Sequence, residues 1–150
     1  MDKLKDYIDY ISESRDELGG HAICPYVKKY MDKVQIKFTL SIIKEAKATL
    51  LNYPKDKKVV LVCSEDLSIN FEELDKFCQS HQTKELWLAA DHPNRYSEIN
   101  GVRTNNKDYS MILIQERAHL TDLSNKLKNT TYYDFWSKEY FKEIVSDRLE

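Results

Sequence analysis

Val59-Val60-Leu61-Val62-Cys63 is an unbroken apolar run, and it constrains the fold more than any other stretch of the chain. A strand that alternates apolar and polar residues has one wet face, whereas a strand without alternation needs cover on both. The run therefore predicts the centre of a sheet. Val34, Ile36 and Phe38 alternate with Gln35, Lys37 and Thr39, which is the two-residue period of a half-exposed strand. Leu86-Trp87-Leu88-Ala89-Ala90 and Met111-Ile112-Leu113-Ile114 supply a third and a fourth.

Helical spacing fills the intervals. Ile42, Ile43, Ala46 and Leu50 form one stripe, and Phe71, Leu74, Phe77 and Cys78 form another behind the capping pair Asn70 and Glu73. Leu4, Tyr7, Ile8 and Ile11 predict a first helix, Gly19-Gly20 interrupts the chain, and Pro25 is placed to open a second helix, completing an N-terminal helical pair. Beyond His119, Leu120, Leu123 and Leu127 make one stripe. Tyr133, Trp136, Tyr140 and Ile144 then make an aromatic C-terminal helix. The order predicts an α/β two-layer sandwich with a mixed four-stranded sheet and flanking helices. Its first crossovers are parallel and right-handed, and its last two strands form a hairpin.

With 150 residues, 41% of them hydrophobic, the expectation is a single α/β domain spanning 1–150. Basic and acidic residues number 23 and 25, a net charge of -2, so nothing calls for nucleic acid as partner. Three cysteines, no apolar leader and no long apolar run argue against a disulfide framework and a membrane span. The expected compartment is a reducing cytoplasm.

Cys24-Pro25-Tyr26 is the main chemical hint, because a thiol at a helix start meets free amides and a dipole that favour its ionised form. His92 closes the third strand and is the candidate catalytic base. The segment Asp91 to Asp108, with Pro93, Asn100-Gly101 and Asn105-Asn106, reads as a long loop able to act as a lid. The competing reading makes Cys24 a small buried side chain. His21 precedes Cys24 by three residues, so His21, Cys24 and His92 could together hold a metal ion, the one cofactor option the chain offers. Arg95 and Arg103 could bind an anionic small molecule, although Asp91, Glu98 and Asp108 offset them and no glycine-rich phosphate cradle is present.

Three short pieces resemble a bacterial family, the domain of unknown function numbered fourteen-fifteen. They are Cys24-Pro25-Tyr26-Val27, Asp91-His92-Pro93, and Tyr109-Ser110 leading to Glu116-Arg117. They match that family's Cys-Pro-Phe-Ala, Phe-His-Pro and Tyr-Pro to Arg-Glu segments in order and approximate spacing. The resemblance implies an α/β domain with Cys24 and His92 as motif positions, adds Tyr109 and Arg117 to the candidate ligand set, and brings no activity. Cys24-Pro25-Tyr26 is also similar to the Cys-Pro-Tyr-Cys helix start of glutaredoxins. Val27 stands where the second cysteine would be, which disfavours a dithiol mechanism.

The C-terminal aromatics suggest another role. Tyr132, Phe135 and Phe141 flank the inward stripe and offer a surface for a protein partner or a second copy of the chain. Two functions are therefore expected: a thiol-dependent enzyme or redox protein using Cys24 with His92, or a non-catalytic α/β binding module that docks a partner through its aromatic C-terminal helix.

Overall fold

A computed structural model describes residues 2–149, with the side chain of Leu149 excepted. The sheet is built from β1 (Val34–Phe38), β2 (Val59–Ser64), β3 (Leu86–Asp91) and β6 (Ser110–Glu116), in the order β1-β2-β6-β3. β1 and β2 are parallel, with Val34 opposite Val59. β6 runs antiparallel between β2 and β3, so that Ile112 lies opposite both Val62 and Ala90. The apolar run is central, as its composition requires, and the last two strands of the sheet are antiparallel neighbours.

Two helices cover one face of this sheet. α2 (Ile42–Leu51) and α3 (Phe71–Ser80) pack Ile42, Ala46, Leu74 and Phe77 against Val60, Val62, Leu88, Ile112 and Ile114. The side chain of Asn70 caps α3 by accepting a hydrogen bond from the Glu73 amide at 2.9 Å. β1 lies at the edge, and Lys37 on this face reaches Thr49 and Glu45 of α2 rather than entering the core.

The opposite face is covered by other segments, which gives the expected sandwich a further helical layer. α1 (Asp2–Ser12) buries Leu4 and Ile8 against Cys63, Met111 and Tyr109. α4 (Arg117–Lys128) leaves β6 directly and crosses back over this side. The chain ends in a 3-10 turn (Tyr132–Phe135), α5 (Lys138–Phe141), a π-helical stretch (Lys142–Ser146) and α6 (Asp147–Leu149). The aromatic segment is thus broken at Trp136, where an extended residue precedes the Ser137 cap of α5.

The second half of the N-terminal helical pair does not form. Residues 21–24 are irregular and 25–30 are turns, followed by a single 3-10 turn at Met31–Lys33. The segment is too short to repay helix nucleation, and Tyr26, Val27 and Tyr30 are weak helix formers. Tertiary bonds hold it instead, the Cys24 amide donating to the Ile11 carbonyl at 2.8 Å.

The segment after β3 is not a free loop. β4 (Glu98–Ile99) and β5 (Val102–Arg103) form a two-residue hairpin through Asn100 and Gly101, both with positive φ, 48° and 82°. Ile99 and Val102 are buried with Leu18.

Candidate functional site

The two sheet faces are unequally covered. On the α2/α3 face Val60, Val62, Leu88, Ile112 and Ile114 are fully buried. On the other, α1 buries Cys63 and Met111 at one end, but Val59, Leu61, Trp87, Ala89 and Leu113 stay half-buried. Beneath the helical cover there remains a cavity of about 630 Å³. Leu61, Ala89 and Leu113 form its floor, and Ile8 and Ile11 of α1 with Leu120, Leu123 and Leu127 of α4 form its walls.

Aromatic rings roof this space. Trp136 sits 5.6 Å from Tyr132 and 4.8 Å from Tyr140, ring centre to ring centre, in tilted packing. The Tyr132 hydroxyl donates to the Ile23 carbonyl, and the Tyr7 hydroxyl to the Thr104 carbonyl at 2.5 Å. Of the three side chains expected to flank the inward stripe as a docking surface, Tyr132 is buried, Phe141 is half-buried and Phe135 is 36% exposed.

Cys24 lines the cavity in surroundings that disfavour its thiolate. Burial pushes its thiol up, and this outweighs the hydrogen bonds from the Tyr26 and Val27 amides that act in the opposite direction. The amides expected of a helix start are present without the helix. Cys63 and Cys78 are likewise pushed up to about 12 by burial, and all three cysteines are free.

His92 does not join Cys24. It is fully buried outside the cavity lining, with Nε2 donating to the Ile69 carbonyl at 3.0 Å and Nδ1 accepting from the Asn94 amide at 3.1 Å. This tautomer follows from the partners, and it leaves neither nitrogen free to take a proton from a thiol. His21 lies beside Thr131, its Nε2 2.9 Å from Oγ1. The metal option is not assembled: among the described residues no group of three or more His, Cys, Asp or Glu side chains is placed to hold an ion.

The candidate anion ligands also divide. Arg95 lines the cavity mouth, lying over the Phe71 ring at 4.6 Å and within 3.7 Å of Glu143. Arg103 is a brace, donating to the carbonyls of Pro93, Asn105 and Asn106 at 3.0, 3.1 and 3.3 Å. Tyr109 is buried against Phe38. Arg117 donates to the carbonyls of Thr83 and Arg148 at 2.7 and 2.9 Å and covers Trp87.

Further polar residues complete the site. The Asp91 carboxylate, on the cavity wall, accepts from the His92 amide and from the amide and side chain of Asn106 at 3.0, 3.0 and 2.8 Å. Burial still raises its pKa above the usual carboxylate range. Asn106 in turn accepts from the Asp108 and Tyr109 amides, so residues 91–109 are anchored rather than poised as a lid. Arg148 and Ser124 form a polar corner on the opposite wall.

Compared with known proteins, no family model matches the chain, and neither a curated protein nor a solved structure matches it significantly. Among the described residues no helix is long and apolar enough to cross a membrane.

Proposed function

We propose that the protein is a non-catalytic α/β binding module that takes a small, largely apolar molecule into the cavity on the second face of its sheet. The supporting observation is the contrast between the faces. The same strands bury Val60, Val62, Leu86, Leu88, Ile112 and Ile114 on the α2/α3 side, with Ala90 half-buried, and leave Leu61, Ala89 and Leu113 facing open space on the other. Its volume of about 630 Å³ falls in the range of small-molecule sites, roughly 300–1,000 Å³, and its apolar lining with few polar groups has their usual character.

A thiol enzyme is the weaker reading. Among the described residues no histidine or carboxylate is hydrogen-bonded to Cys24, and burial of the thiol favours the protonated, unreactive form. Cys24 acts as a wall residue in the binding-module reading. Three unpaired cysteines fit a reducing compartment, for which the cytoplasm is the simplest choice.

The test is titration with N-phenyl-1-naphthylamine, an uncharged probe that fluoresces in apolar surroundings. Saturable enhancement at one probe per chain is expected, with at least a tenfold weaker response in Ala89→Trp, which fills the floor. Absence of enhancement with the native protein rules the reading out.

A further inference from the structure

Resting on that binding-module reading, we propose that the ligand is an amphipathic monocarboxylate whose carboxylate is bound by Arg148 while its apolar chain lies along the sheet. Arg148 is only 7% exposed, yet it lines the cavity. Among the described residues every partner it has is neutral: the Ser124 hydroxyl at 2.5 Å and the carbonyls of Ile144 and Leu120 at 3.3 and 3.5 Å. Its buried Nε–H has no acceptor among the described residues. Among the described residues no carboxylate lies within ion-pair distance, and another cation, Arg117, donates to the Arg148 backbone carbonyl and adds its charge nearby.

A buried guanidinium with an unused donor and no counter-charge is costly as it stands. One anion on the cavity side supplies the missing counter-charge and leaves the neutral contacts in place. The lining determines the remaining chemistry. Leu120, Leu123 and Ile144 adjoin the corner, so the group attached to the anion is apolar. The acidic residues on this wall, Glu139 and Glu143, are exposed, and Glu143 is engaged by Arg95. Of the two arginines Arg148 lines the cavity and Arg117 does not, so one guanidinium faces the site at this corner, and its edge suits a planar carboxylate.

The experiment compares displacement of N-phenyl-1-naphthylamine by dodecanoate and by dodecanol, which share a chain and differ in head group. Dodecanoate is expected to displace the probe at least tenfold more tightly. Arg148→Gln should abolish the preference for dodecanoate over dodecanol, and Arg148→Lys should keep part of it. Equal displacement by the two in the native protein, or a preference that survives Arg148→Gln, overturns the carboxylate assignment while the cavity reading stands. If the probe itself does not bind, the cavity reading fails first. A measurement on native protein alone decides the matter if the variants do not fold. Dodecanoate labelled with carbon-13 at its carboxyl should stay ionised, when bound, below its solution pKa. A bound carboxyl that titrates higher lies in apolar surroundings away from Arg148, contrary to the proposal.

Discussion

At the scale of single residues, environment outweighs type. Cys24 has two backbone amides directed at its sulfur, yet burial dominates and the thiol stays protonated at neutral pH. Iodoacetamide labelling read by mass spectrometry should therefore find Cys24 no faster than a free thiol, whose pKa is about 8.5, with Cys63 and Cys78 slower until the protein unfolds. Rapid labelling of Cys24 well below that pH would restore the thiol chemistry. His92→Ala should leave probe binding intact and lower stability by about 1–3 kcal/mol in urea titrations, because the Ile69 carbonyl and Asn94 amide lose their buried partner. A loss of binding without a loss of stability would instead make His92 part of the site. His119, on the cavity wall with its ring 4.8 Å from that of Tyr30, has its pKa lowered, first by burial and then by Lys58. The fold therefore disfavours the protonated ring. Stability should fall as pH drops through the unfolded value of about 6.5, and His119→Gln should remove that part of the pH dependence of the urea midpoint. The roles of Cys24 and His92 were not legible in the sequence, since a terminal amide pair and a strand-end imidazole look alike whether they serve chemistry or packing.

At the scale of elements, those with a sustained period could be read directly. The apolar run became β2, the alternating segment β1, and the Asn70–Glu73 spacing a true helix cap. Segments whose conformation depends on distant partners could not. Pro25 suggested a helix, but a tertiary bond from Cys24 to Ile11 fixes turns there. Asn100-Gly101 is a strong hairpin signal, hidden because each strand has only two residues. The stretch from 92 to 109 is ordered by Asn106, whose side chain bonds Asp91, Asp108 and Tyr109. Asn106→Ala should cost on the order of 3 kcal/mol in chemical denaturation, since several buried groups lose partners together. A change under 0.5 kcal/mol would mean that the segment is loose after all. Gly19, at φ 66°, shows the same dependence on distant contacts. A Cβ there would lie 2.8 Å from the Phe135 ring, tying the N-terminal turn to the aromatic roof.

At the scale of the whole molecule, the sheet separates a packed core from a receptive one. Sequence periodicity shows that β2 needs cover on both faces but not how closely the cover fits, so the cavity was not legible. Neither was Arg148, because an arginine near a chain end is ordinarily solvated and only the fold buries it. Methyl-resolved NMR of the native protein, titrated with N-phenyl-1-naphthylamine, tests the unequal faces most directly. The shifts should be confined to Leu61, Leu113, Leu120 and their neighbours on the cavity side, while Val60, Val62, Ile112 and Ile114 stay still. Shifts centred on the α2/α3 face, or none at saturating probe, would contradict a ligand site on the second face of the sheet.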